Sequence, residues 1–335
     1  MVFQTANLAL LLLNTLSVVA LSGAAILACS TLLHWDLHSS APLQLKLEQR
    51  SYLLATWVAL ALSLQMLSLP FFLWNADNMS ASFVGAMCAV GVLQANPWGF
   101  WALLLQLGVA LASSQWLLLN HLSNQGRDFP WMRLKNALLL GLLPLFATNL
   151  FVLWRYFNNL QPEIVTSCCG SLFSAGASRL PSHLAALPPK LGMLVFFTGL
   201  ALALLATAFC AFCTKAPPWA AAAAALFSAL AFASSLLGVV SFLSLYIYEH
   251  PLHHCPFCVL KPEHHFVGYA LYVPLLLGTL SGLGVGLVQA FGQRPSLQNV
   301  APRLRQKLAA IALAAFAFFF VLSLALFFSS NLNLE

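Results

Sequence analysis

Charge is what this sequence has least of. Only 7% of its 335 residues are Asp, Glu, Lys or Arg, against about 25% in an ordinary soluble domain. Hydrophobic residues make up 61%, which leaves no room for a soluble domain of useful size. The long apolar stretches carry no charge deep inside them. Proton- and ion-coupled transporters ordinarily need buried carboxylates, histidines or arginines along their path, so that class is disfavoured. Paired carboxylates are missing too, since Glu163, Glu249 and Glu263 read as solvated loop charges. Basic residues exceed acidic ones by 14 to 8. That excess anchors a membrane protein at its cytoplasmic face and calls for no nucleic-acid partner.

What the chain does have is apolar length. About 20 apolar residues span the hydrocarbon core as a helix, because every backbone group is then satisfied internally. Eight such spans are predicted, at about 6–33, 51–74, 98–121, 136–156, 190–213, 219–247, 266–291 and 308–329. The expected fold is all-α: a polytopic helix bundle in the lipid bilayer, one integral membrane domain over 1–335. Two groups of four spans, 1–157 and 190–335, would flank a Cys-containing loop at 158–189. The fragments Phe83-Val84-Gly85 and Phe266-Val267-Gly268 recur at equivalent places in the two groups. Residues 80–97 are too short to span and are expected to form an interfacial or re-entrant helix covered by protein.

Lys46, Arg50, Arg127, Arg133, Lys135, Lys215, Arg294, Arg303, Arg305 and Lys307 fall in alternate loops, against Arg155, Arg179, Lys190 and Lys261 in the others. The positive-inside rule then turns both termini away from the cytoplasm of a cell inner membrane. Trp35, Trp74, Trp98, Trp131, Trp154 and Trp219 lie near predicted span ends, as an aromatic belt requires. The first span has no preceding Lys or Arg, so a retained helix is expected rather than a signal peptide, despite the lipoprotein-like Ile26-Leu27-Ala28-Cys29. Asn14, Gln65, Gln106 and Asn149 should bond between helices. The alanine run 220–225 and the small-residue run 278–286 should pack helices closely.

Chemistry concentrates in Glu249 to Tyr269, EHPLHHCPFCVLKPEHHFVGY. By topology Cys88, Cys168, Cys169, Cys255 and Cys258 lie outside, where disulfides are permitted. An odd number leaves one thiol unpaired or paired with another chain. Pro256 suits the first position of a helical turn, which would put Cys255 at a helix N-terminus where a thiolate is stabilised. Protonated His253 and His254 would stabilise it further. A Cys-x-x-Cys disulfide closes a tiny loop and adds little chain-entropy stabilisation, which favours redox or metal use over a staple. Cys168 and Cys169 are neighbours, and neighbours bridge each other only through a strained turn. On a loop they could instead reach Cys255 or Cys258, relaying electrons from an outside dithiol. Cys88 reads as packed, with the option of resolving a mixed disulfide. Cys29, Cys210 and Cys213, with His34, form a second candidate group whose simpler reading is packing.

The segment His254-Cys255-Pro256-Phe257-Cys258-Val259-Leu260-Lys261 resembles the active-site start of DsbB-type quinone-coupled disulfide oxidoreductases, and it shares the logic of the VKOR-type enzymes. The resemblance covers about eight residues of 335, and those families have four or five helices. It implies a membrane quinone as oxidant of the Cys255–Cys258 pair. Lys261 stands near the place of the family's arginine, at slightly shorter spacing. A thioredoxin-like extracytoplasmic partner would follow. The vicinal cysteines are similar to those of mercury-transport membrane proteins.

The same loop also supports a metal reading. His253, His254, Cys255, Cys258, His264 and His265 supply N and S donors for a zinc or copper ion. A permease or complex subunit handling a soft metal or haem, served by a metal-carrier protein, is the alternative function. A structural subunit of a larger membrane assembly is the third. His38, His121 and His183 read as headgroup or water contacts.

Overall fold

The computed structural model describes residues 2–34, 42–126, 128, 130–161, 188–213 and 216–332. Among these the chain is helix and turn, without strand. The elements are α1 Thr5–His34, α2 Pro42–Met79, α3 Ala89–Gln94, α4 Gly99–Gln125 and α5 Met132–Asn158. They continue with α6 Pro189–Phe212, α7 Pro218–Gly238, a π segment Val239–Leu243, α8 Ser244–Tyr248, α9 Val267–Phe291 and α10 Ala301–Ser329. Among the described residues eight helices are long and apolar enough to cross a membrane, with the π segment and α8 continuing α7 into one span. The chain is therefore an all-α polytopic membrane bundle. Leu16, Trp57, Leu205 and Phe212 are each more than 60% exposed. Water would not tolerate so much apolar surface, and lipid favours it.

Two spans start earlier than expected, α2 at Pro42 and α10 at Ala301. The second helix begins at Pro42 rather than near residue 51 and runs for 38 residues. At 1.5 Å per residue that is about 57 Å, well beyond a hydrocarbon core of about 30 Å. Lys46, Glu48 and Arg50 thus sit on a helix that has already left the core. Likewise α5 includes Lys135 and α10 includes Arg305, both buried, but each lies within the first turns of its helix.

The chain divides into two compact units. The first comprises Met1–Met79, Leu93–Ile164 and Arg294–Gln298. Within it α1 packs on α2 and α5, and α4 packs on α2 and α5, so the four helices close a ring. Its apolar core includes Leu21, Val58, Leu62, Val109, Trp116 and Phe146. Beside that core runs a buried amide network. Asn14 Oδ1 accepts from Gln65 Nε2 at 2.6 Å and from Asn149 Nδ2 at 2.8 Å. Ser68 Oγ donates to Gln106 Oε1 at 2.6 Å, and Asn75 Nδ2 donates to Asn7 Oδ1 at 2.6 Å. All four residues expected to bond between helices do so. Lipid supplies no hydrophobic force between helices, so such bonds and close packing hold them.

The second unit comprises Ser80–Val92, Val165–Gln293 and Asn299–Glu335. Here α7 packs on α6 and α9, and α10 packs on α6 and α9, again a ring. Its core is aromatic and aliphatic: Phe196, Phe242, Leu271, Leu275, Phe316 and Phe319. Phe196 and Phe242 meet edge to face at 5.3 Å. The small residues of α7 and α9 meet as expected. A Cβ on Gly282 would lie 1.9 Å from Ser228 Oγ, so only glycine permits that approach.

Replacing Asn14 by Leu keeps volume but strands the Gln65 and Asn149 amides. We expect a loss of about 1–2 kcal/mol, from two intramembrane bonds of about 0.6 kcal/mol each and at most about 1.7. Thermal unfolding in mild detergent measures it, with Thr15→Leu on the exposed face of α1 as the near-neutral control.

Candidate functional site

Three prolines set the backbone between α8 and α9. Pro251, Pro256 and Pro262 each remove a donor, so no long α-helix can cross this stretch. The preceding span ends at Tyr248, where Glu249 turns into the left-handed region with φ 51°. Cys255 lies in non-helical backbone, and a three-residue 3-10 turn, Cys258–Leu260, starts at the second cysteine. Cys255 is therefore not at a helix N-terminus. Pro262 opens a further 3-10 turn, Pro262–His264, and the seventh span begins beyond it. That span starts at Val267, after His265 and Phe266 at φ 54° and 55°. Consecutive left-handed non-glycine residues are strained, and the surrounding packing must hold them.

Carbonyls that a helix would have satisfied find side-chain donors. Tyr248 Oη donates to the Cys255 carbonyl and Tyr272 Oη to the Pro256 carbonyl, each at 2.5 Å. His254 Nδ1 lies 2.9 Å from the Val240 carbonyl. A carbonyl only accepts, so Nδ1 carries the proton. Val240 belongs to the π segment, where an inserted residue loosens the regular carbonyl pairing. Thus the loop is tied to α8, to α9 and to the π segment.

What the ties position is sulfur. Cys88 Sγ lies 3.5 Å from Cys255 Sγ, a non-bonded contact beside the 2.05 Å of a disulfide. With Cys258 Sγ, the three atoms lie within 4.8 Å of one another. Cys88 and Cys255 are fully buried and Cys258 is 6% exposed. Cys88 arrives from a segment of the same unit, Ser80–Val92. A 3-10 turn, Ser80–Ser82, and Gly85 at φ 84° bring it round, and α3 follows directly. Its buried flank, Ala89, Val90 and Val92, is covered by protein, as expected for this stretch. The recurring Phe-Val-Gly fragments serve unlike purposes. Phe83 is buried and Gly85 turns the chain, whereas Phe266 is exposed and Gly268 is helical.

None of His253, His254, His264 and His265 joins the three-thiol group among the described residues. His253 and His264 instead flank the Tyr248 ring, with centroids 4.4 and 4.6 Å away. His265 is exposed and Lys261 half-buried. Burial pushes the imidazoles of His253, His254 and His264 below their ordinary value. Negative charge on Cys88 partly offsets this at His253. The expected protonated histidines beside Cys255 are therefore disfavoured by desolvation. Among the described residues His253 Nε2 is buried without a hydrogen-bond partner.

Cys168 and Cys169 lie outside the described residues. Cys210 is buried among Ala216, Ala220, Ala221, Ala224, Val285 and Ala309, a packing position, while Cys29 is exposed. Sequence reasoning gave Cys88 only a secondary part. Its one signal was a loop position matching that of Cys255. Compared with family models, characterised proteins and solved structures, the chain matches none.

Two outcomes follow from this geometry. A Cβ on Gly268 would lie 2.7 Å from Val259 Cγ2 and 3.0 Å from the Val259 carbonyl carbon. Gly268→Ala should displace the Cys258–Leu260 turn and cost about 1–3 kcal/mol. Faster alkylation of Cys258 in the folded protein would report the displacement. The second outcome concerns pH. Since the folded pKa values of His253, His254 and His264 are depressed, the unfolded chain binds more protons below about 6.5. Stability is then fully present above that pH and is lost as pH falls through it. The unfolding midpoint in detergent should fall between pH 7 and 5, and His253→Gln with His254→Gln should flatten the decline.

Proposed function

We propose that the chain is a membrane thiol–disulfide oxidoreductase, passing electrons from extracytoplasmic thiols to a membrane quinone. The observation that carries this is the meeting of Cys88, Cys255 and Cys258 within 4.8 Å, without histidine. Redox exchange needs sulfurs in mutual reach and nothing more. The ten-to-four distribution of Lys and Arg supports an extracytoplasmic position for this loop, with both termini on that side.

In the oxidised enzyme Cys255 and Cys258 share the disulfide. Because both are buried, electrons enter through a sulfur of the same chain, and Cys168 and Cys169 are the shuttle pair. Their dithiol becomes a strained vicinal disulfide, which an outside dithiol reduces again and is itself oxidised, while the Cys255–Cys258 bond becomes two thiols. Two electrons and two protons then pass to the quinone, giving quinol and restoring the S–S bond. Lys261, beside the 3-10 turn of Cys258, is the contact proposed for the quinone. Cys88 is placed to attack Cys255 and release Cys258 as thiolate, so Cys255 belongs to two alternative disulfides.

A second reading has its own support. Three thiol sulfurs at these separations are also a soft donor set for a monovalent copper ion. One experiment separates the two. Purified protein is given a dithiol and a short-chain quinone, and quinol formation is followed. Redox function predicts catalysis that Cys255→Ser and Cys258→Ser each reduce at least 100-fold. Joint replacement of His253, His254, His264 and His265 should leave turnover within about tenfold, because thiol–disulfide exchange needs the sulfurs and not the imidazoles. Unchanged turnover in Cys255→Ser sinks the proposal. Absent turnover together with stoichiometric copper, lost in Cys88→Ser, would put the metal reading in its place.

A further inference from the structure

The first unit contains a cavity of about 260 Å³ that the thiol chemistry does not use. Glu48, Ser51 and Tyr52 of α2, Asn120 and Asn124 of α4, and Lys135 of α5 contribute its polar wall. Lys135 is only 2% exposed. Its Nζ donates to Asn120 Oδ1 at 3.2 Å and to Asn124 Oδ1 at 3.4 Å. Its backbone is held as well, since Trp116 Nε1 donates to the Lys135 carbonyl at 2.9 Å. A buried ammonium met by two neutral amide oxygens is poorly compensated, because burying a charge is expensive unless an opposite charge pairs with it. An ammonium has three donors, and the two amides account for two of them.

Two further features point to a ligand. Ser51 is 4% exposed, and its buried hydroxyl has no hydrogen-bond partner among the described residues. Glu48 lines the same cavity, and its carboxylate accepts from Gln44 Nε2 at 3.1 Å rather than from Lys135. The wall therefore offers one cation, one anion and an unused hydroxyl. A simple anion would satisfy Lys135 but meet Glu48. A zwitterion satisfies both.

Position narrows the class. Lys135 is in the first turn of α5, and Asn120 and Asn124 are in the last two turns of α4. Glu48 and Ser51 precede the apolar body of α2, so the cavity lies at the polar end of these helices. Its rim includes Tyr52 and Thr56, both exposed, and Leu60 continues their line one turn further. At four-residue spacing these three residues share one lipid-facing stripe of α2. The volume is below the roughly 300–1,000 Å³ of pockets for drug-sized ligands. It suits a small headgroup whose tails stay outside.

We infer that this cavity binds the headgroup of a zwitterionic phospholipid with a primary amine, the phosphoethanolamine type. The phosphate accepts from Lys135 and Ser51, the ammonium donates to Glu48, and an acyl chain lies along Tyr52, Thr56 and Leu60. This site is independent of the thiol cluster.

The test uses delipidated full-length protein in mild detergent. Dioleoyl phosphatidylethanolamine, dioleoyl phosphatidylglycerol and inorganic phosphate are added separately. Binding is read by native mass spectrometry and by the shift in unfolding midpoint. Phosphatidylethanolamine should bind at least tenfold more tightly than phosphatidylglycerol, and phosphate should give no shift. Lys135→Met and Glu48→Gln should each remove that preference. Glu48 is only half-buried, so the second variant keeps the test open if the first does not fold. Equal or tighter binding of phosphatidylglycerol, or a stabilising shift with phosphate, overturns the zwitterion assignment. An unchanged preference in Glu48→Gln overturns the site.

Discussion

Two tyrosine hydroxyls, donated to the consecutive carbonyls of Cys255 and Pro256, are the interaction on which the thiol site depends. A non-helical segment at a membrane edge must satisfy its backbone from within the protein, because hydrocarbon offers no donors. Proline at 251, 256 and 262 prevents the helical solution, so side chains take over. Tyr248 ends one span and Tyr272 lies in the next. The loop is thereby clamped between the two helices it connects. Gly268 then allows the Cys258–Leu260 turn to sit directly on α9. The clamp fixes the backbone at Cys255, while the turn at Ser80–Ser82 and Gly85 brings in Cys88.

The two units hold their helices by different means. The first relies on a chain of amides, centred on Asn14, that crosses between helices. Gln65 Oε1, Gln106 Nε2 and Asn149 Oδ1 remain buried without partners among the described residues, so the network has unused capacity. The second relies on packed aromatics and on small residues along α7 and α9. Its buried hydroxyls, among them Thr207, Ser228, Ser241 and Thr279, are spread along the helices, while the buried thiols Cys255 and Cys258 sit in one loop.

Much of the fold was legible because hydropathy is additive along a helix. Each predicted span lies within a few residues of its helix, except for the charged extension, past the hydrocarbon, at the start of α2 and of α10. Hydropathy cannot see that extension, since a helix in the headgroup region need not be apolar. The amides at 14, 65, 106 and 149 were legible as helix–helix contacts because a polar side chain in lipid must find a partner. The candidate site was legible by half. Cys255 and Cys258 announce themselves by spacing, whereas Cys88 is 167 residues from its sulfur neighbour. The histidines misled for the opposite reason. They adjoin the cysteines in sequence, yet His254 turns toward Val240, and His253 and His264 lie tilted against the Tyr248 ring.

By itself the sequence determined the solvent, the class of fold, the spans and the loop where reactive side chains gather. These depend on composition and on periodicity, which are local. Only the tertiary structure decided which groups meet. It brought Cys88 to Cys255, left the histidines outside the sulfur cluster, and placed Lys135 and Glu48 around one cavity. Such meetings depend on where prolines stop a helix, where a π segment offers a carbonyl and where a glycine lets two backbones approach. No residue pattern encodes these singly, because each is a property of several segments packed together.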